Sequence, residues 1–376
     1  MPSARTFWIL SLIAALALLV GRRYEPGHGF TALIQFDVEN QLRQTPTLAA
    51  IPHHVRTPTG FDGQFYAQIA LDPLLLDPDT TKAVDFPPFR ARRILVPALA
   101  HLLGARQPFW IIHVFPLINV LFWALLFALL LRTVPTAAAF DRTAITAILF
   151  STGALESIRL SVIDLPATYF AVLPCLLGAT GVGAVAAFAC TCLTRETGVL
   201  AAAAFFVRRT PVERSFFSRA LLGAAALTPF VLWMAYLNLR VESAFVPRGP
   251  VGLPLVHMAD ALALNLWRVL TELSPGAINS LLVIAGLLTQ AVFLWTHRRF
   301  DDPLWRIGAA FTLLLLILGG PVWELPSAAC RYMLPLTIAV NLQLVREPAT
   351  PHRWWWFIAS NACLPFGVLR FLTYES

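Results

Sequence analysis

The residues best suited to chemistry stand in the stretch GFDGQFYAQIALDP, residues 60–73. Asp62 lies between Phe61 and Gly63, and Gln64 and Tyr66 follow at once. An Asp followed by Gly can be held in a tight turn with its carboxylate presented to a ligand. Such a carboxylate can take a proton from a hydroxyl as a general base, or orient that hydroxyl by hydrogen bonding. The plainer alternative is a turn Asp whose side chain caps its own backbone. Asp37 and Glu39 are rivals in the same region, but their apolar neighbours recur at helical spacing, which favours a solvated face.

Asp164 precedes Leu165 and Pro166 at the start of an apolar run. It is either an ordinary helix N-cap or a second carboxylate that helps to hold an acceptor or a divalent metal. Arg195 and Glu196 sit between two apolar runs. They form either a local ion pair at a helix break, or a phosphate-binding arginine oriented by its neighbour. Arg90, Arg93 and Arg331 are further phosphate candidates, because a guanidinium forks onto phosphate oxygens. For Arg90 and Arg93 the alternative is ordinary anionic lipid headgroups.

Other chemistries find less support. His28, His53 and His54 share one polar region, but no HExxH or HxxxH spacing accompanies them, so no histidine metal site is expected. His101 and His113 lie in apolar segments and read as packed side chains. The five cysteines fit no zinc pattern and read as small apolar fillers. There is no P-loop, no GxGxxG and no GxSxG, which argues against nucleotide-driven transport and serine hydrolysis.

Positioning these groups falls to a strongly apolar chain. Of 376 residues 57% are hydrophobic and only 13% charged, against about 25% charged in soluble domains. Mean hydropathy is +0.68. The composition implies an all-α, polytopic transmembrane bundle, since helices satisfy their own backbone groups in lipid. The net charge of +7 is almost wholly arginine, with Lys82 the only lysine. These arginines stand between apolar runs, so topology and membrane lipids explain them better than nucleic acid does.

The chain reads as a single integral membrane domain over residues 1–376. Residues 7–20 form an uncleaved first span, residues 21–92 a long polar outer loop, and residues 93–373 the rest of the bundle. In the loop, residues 31–42 and 64–75 carry helical periodicity and are expected to lie as short amphipathic helices on the bilayer surface. Apolar runs follow at 109–131, 143–155, 166–180, 183–194, 198–207, 220–238, 277–296, 307–320, 333–345 and 354–373, giving about ten expected spans. Arg132 and Arg142, then Arg208, Arg209, Arg214 and Arg219, then Arg298, Arg299 and Arg306, then Arg346 and Arg353 mark four loops on the side of Arg5. By the positive-inside rule that side is cytoplasmic. Asp62, Glu156, Asp164, Arg195, Glu196, Glu324 and Arg331 are then expected to face one outer cavity.

This layout resembles bacterial membrane proteins related to the GT-C class of glycosyltransferases. The likeness rests on GFDGQFYAQIALDP, on FRARRILVPALAHLL (residues 89–103) and on LTRETGVLA (residues 193–201). The corresponding motifs there are a YDGQFYY-like loop, an R-x-x-R-I-L-x-P segment and an R/K-E-T turn. Here Phe61 replaces the expected Tyr and Ala67 an expected aromatic. The resemblance implies a polyprenyl-phosphate sugar as donor, Asp62 as base or acceptor-positioning acid, and Asp164 as an assisting acid. A single base facing the donor carbon suits one-step displacement with inversion, and Gln64, Tyr66, Arg90, Arg93, Arg195, Glu196 and Arg331 are expected to bind substrate. No cofactor is certain, and a divalent metal is compatible. A transporter or flippase of a lipid-linked envelope precursor, or a non-catalytic assembly factor, are the alternatives.

Overall fold

Nothing in FWILSLIAALALLV interrupts a helix, and Ala4–Gly21 forms one, with the Ser3 hydroxyl accepting from the Thr6 amide at 3.2 Å. Leu12, Leu16, Leu19 and Val20 are buried against the rest of the chain, while Phe7, Leu10 and Leu18 remain exposed. An exposed apolar face of this kind suits lipid. The computed structural model describes residues 3–41, 43–56, 60–179, 181–206, 216–241 and 251–373.

Among the described residues the fold is all-α apart from a parallel pairing of Phe36–Asp37 with Val55–Arg56. Among the described residues, five helices are long and apolar enough to cross a membrane: Ala4–Gly21, Pro108–Thr133, Ala220–Arg240, Pro275–Thr296 and Pro351–Thr373. A sixth span arises if Pro326–Tyr332 and Leu334–Val345, bent by 65° at their junction, count as one. These helices fit an integral membrane protein.

Against the expected ten spans, the described residues hold five or six. Asp164–Leu177, Val182–Thr194 and Pro303–Leu316 are apolar but only 14, 13 and 14 residues long. At 1.5 Å per residue each is about 20 Å in length, short of the roughly 30 Å hydrocarbon layer. The run at 143–155 is split in two, because the Ser151 hydroxyl accepts from the Ala154 amide and starts a new helix, Thr152–Arg159. The run at 198–207 is wound as a 3-10 helix, Glu196–Phe206. Hydropathy alone cannot register such breaks. Arg208, Arg209 and Arg214 lie outside the described residues.

The two helices expected on the bilayer surface are corrected as well. Gly63–Leu71 buries every residue from Gly63 to Ala70, because it packs between Leu95–Leu103, Pro108–Val114 and the short elements around it. Residues 31–37 are buried too, and Gln35 at φ +58 prevents a continuous helix. The segment holds Thr31–Leu33 as a 3-10 turn and then enters the strand pairing.

Candidate functional site

The site is built on a turn whose backbone leaves no room for a side chain. A Cβ at Gly63 would stand 2.3 Å from the Leu160 carbonyl oxygen and 3.1 Å from that of Ile34. Only glycine allows this approach. The opposing turn is itself pinned: Asn119 Nδ2 donates to the Val162 carbonyl at 2.8 Å, and the Ser161 hydroxyl to the Leu33 carbonyl at 3.0 Å. Asp62 and Asp164 are thereby carried on two segments locked back to back.

On the other side, buried Asp37 accepts at Oδ2 from the Gly60 amide and from Gln64 Nε2, both at 3.0 Å. The Asp37 amide returns a bond to Gln64 Oε1 at 3.2 Å. Gln64 thus holds the loop, with its amide group committed to Asp37. Asp37 is part of the same support rather than a solvated helix face.

Asp62 occupies the N-cap position of Gly63–Leu71 yet makes no capping hydrogen bond. Its Oδ2 instead meets Arg90 Nη1 at 2.9 Å, and its side chain keeps 41% of its surface exposed. Arg90 is fixed from behind by Asp85, to which Nε and Nη2 donate at 2.8 Å each. A planar fork with two partners has little freedom left. Burial pushes the Asp62 carboxyl up, but the guanidiniums of Arg90, Arg331 and Arg93 outweigh it and hold the group below the usual carboxylate range.

Arg93 is almost fully buried and forks onto Glu196, with Nε to Oε2 at 2.8 Å and Nη2 to Oε1 at 2.5 Å. Its remaining Nη1 donates to the Tyr66 hydroxyl at 2.7 Å. Arg92 Nη2 adds a third donor to Glu196 at 3.1 Å. Burial raises the Glu196 pKa, yet these arginines bring it down to about 2. Tyr66, 1% exposed, lies beneath this group and acts through Arg93.

Arg195 and Glu196 do not pair with each other, as their adjacency invites one to expect. Glu196 faces Arg92 and Arg93, while Arg195 reaches Asp164 and stacks over Tyr332, its Cζ 3.7 Å from the ring centre. The other Asp164 oxygen accepts from Arg331 Nη1 at 3.4 Å. Asp164 makes no N-cap bond, the N-cap position of its helix being Ile163. Arg331 and Tyr332 end the first arm of the bent helix pair, so the 65° break is what delivers them here.

The structure therefore brings Asp62, Asp164, Tyr66, Arg90, Arg93, Arg195, Glu196 and Arg331 into one cluster. Among the described residues, five guanidiniums (Arg90, Arg92, Arg93, Arg195, Arg331) there meet four carboxylates (Asp62, Asp85, Asp164, Glu196). The Nε groups of Arg92, Arg195 and Arg331 are buried without a hydrogen-bond partner. An excess of donors around one exposed carboxylate is an arrangement that accepts an anion beside a hydroxyl. Glu156 lies just behind, paired with Arg159 at 2.7 Å and within the field of Arg331. Burial raises its pKa, and Arg159, Arg370 and Arg331 together lower it. Glu324 is exposed and outside the cluster.

Several members were not singled out from the sequence. Asp85, Arg92 and Tyr332 became visible only through their partners. Arg92 and Asp85 carried a usable signal, since they flank Arg90 and Arg93 in DFPPFRARR. Among the histidines, His53 is committed to the Ile51 carbonyl and Gln44, whereas Glu25, His28 and His54 converge. Compared with known proteins, the chain matches no protein-family model, no curated protein and no solved structure.

Proposed function

We propose that this protein is a membrane glycosyltransferase that moves a sugar from a polyprenyl-phosphate donor to a hydroxyl acceptor on the outer, periplasmic face of a bacterial plasma membrane. The observation that carries the reading is the setting of Asp62: an exposed carboxylate, free of its helix cap, beside a mostly buried set of arginines. In this reading the arginines face the lipid phosphate, whose negative charge grows as the sugar–oxygen bond breaks. Arg331 and Arg195 are the best suited, because each is buried and retains an unused Nε donor.

Asp62 is held below the usual carboxylate range, so at neutral pH it is a weak base. It suits the role of hydrogen-bond acceptor for the attacking hydroxyl, taking the proton late, opposite the departing phosphate. Asp164 is buried with both oxygens turned to arginines, which suits an organiser of the phosphate donors. The first helix then starts in the cytoplasm, and the polar region after it faces outward.

The flippase alternative draws on the bent helix pair, since broken helices recur where transporters bind their cargo. One experiment separates the two. The full-length protein is reconstituted in vesicles with radiolabelled polyprenyl-phosphate sugars and an acceptor pool. Asp62→Asn should abolish transfer while the protein still elutes as a single species. Equal transfer by Asp62→Asn and wild type would overturn the enzyme reading; sugar-lipid crossing the bilayer without transfer, untouched by Asp62→Asn, would establish the flippase.

A further inference from the structure

A second group of chemically able side chains lies in the polar segment after the first helix and takes no part in the Asp62 cluster. Glu25, His28 and His54 bring their ligand atoms within 4.8 Å of one another. Both imidazoles turn Nδ1 toward one carboxylate oxygen: His54 stands 2.8 Å from Glu25 Oε2 and His28 3.3 Å from it.

The backbone makes this convergence a built feature. In EPGHG, residues 25–29, Gly27 at φ +90 and Gly29 at φ +61 allow a reversal that side chains would oppose. The Glu25 amide donates to the Gly29 carbonyl and the Gly29 amide to the Glu25 carbonyl, both at 2.8 Å. Glu25 and His28 are thus set on one side of a closed turn. His54 is brought in from far along the chain by Thr31. The Thr31 hydroxyl donates to the His28 carbonyl at 2.8 Å and accepts from the His54 amide at 2.9 Å.

We propose that Glu25, His28 and His54 form a divalent-cation site, with zinc as the ion it fits best. Two imidazole nitrogens and one carboxylate oxygen are zinc ligands, and a water fills the fourth place. Bonds of about 2.0–2.1 Å in a tetrahedron separate the ligand atoms by about 3.3 Å. The observed 3.3 Å and 2.8 Å separations need little adjustment. The side chains are 30%, 42% and 16% exposed for Glu25, His28 and His54, which leaves an entry path. The ion would tie the turn at residues 25–29 to residue 54, next to the strand Val55–Arg56. That strand pairs with Phe36–Asp37, and Asp37 anchors the Asp62 turn. The site thus braces the support of the cluster without touching it.

The test uses the full-length, untagged protein in detergent, stripped with EDTA and titrated with ZnCl2. The expected result is one zinc per chain after gel filtration and a thermal midpoint raised by zinc. His28→Ala and His54→Ala should each weaken zinc binding at least tenfold and remove the thermal shift, while His53→Ala leaves both intact. Should His54→Ala fail to fold, His28→Asn at the more exposed position carries the test, together with loss of the visible absorption of the cobalt-substituted protein. Substoichiometric zinc in the wild type, or equal affinity in the wild type and the His28 variant, would overturn the proposal. So would an equal loss in His53→Ala.

Discussion

Gly63→Ala tests the claim that the Asp62 turn is seated by a backbone contact. The added methyl would stand 2.3 Å from the Leu160 carbonyl oxygen, whereas ordinary contact begins near 3.4 Å. About 1 Å of movement is therefore required. Neither side can easily supply it, because Leu160 leads into a turn held by Asn119 and Ser161, and Gly60 is tied to Asp37. Overpacking of this kind costs about 1–3 kcal/mol. A displacement of about 1 Å at a reacting group can lower a rate roughly 10²-fold. Gly223→Ala is the internal control: it lies within Phe216–Arg240 and nothing stands within 4 Å of its added carbon. There the change should stabilise by about 0.4–1 kcal/mol. Thermal unfolding in detergent and labelled-sugar transfer, measured on both variants, give the comparison. If Gly63→Ala is as stable and as active as Gly223→Ala, the locked-turn reasoning fails.

Three further outcomes follow from the charge network. Glu196→Gln leaves Arg93 buried without its counter-charge, and denaturant unfolding should show a loss of about 3–5 kcal/mol; a loss under 1 kcal/mol would mean that the pair is dispensable. The Glu196 pKa falls from 4.5 to about 2 on folding, so this contribution is fully present above pH 4.5 and disappears as pH drops toward 2. It amounts to about 3 kcal/mol, and the slope of stability over that window should be reduced in Glu196→Gln. Replacing Arg90 by Met removes the nearest charge holding the Asp62 carboxyl down, so the acid limb of the transfer profile should move to higher pH; an unmoved limb would exclude Asp62 as the titrating group.

The network has a physical logic that single residues do not reveal. Charges are costly to bury unless paired, and here each buried guanidinium has a carboxylate within reach. Removing any one partner exposes another buried charge. Asp62 differs from the other carboxylates in that it keeps substantial exposure, at the edge of a set whose donors outnumber its acceptors.

Composition and long apolar runs were enough to indicate membrane helices, because hydropathy adds up along the chain and does not depend on partners. The helix over Gly63–Leu71 was equally legible, since Phe65 and Ile69 recur at helical spacing. Adjacency misled for Arg195 and Glu196. One residue ends a helix and the next begins a 3-10 segment, so their side chains diverge toward Asp164 and toward Arg93. The span count also depended on breaks at Ser151 and at Met333 that an averaged hydropathy smooths over. Which carboxylate meets which guanidinium, and which histidine joins Glu25, came only from the folded chain. Most of those partners lie tens to more than a hundred residues apart, and their meeting is dictated by the packing of the chain between them.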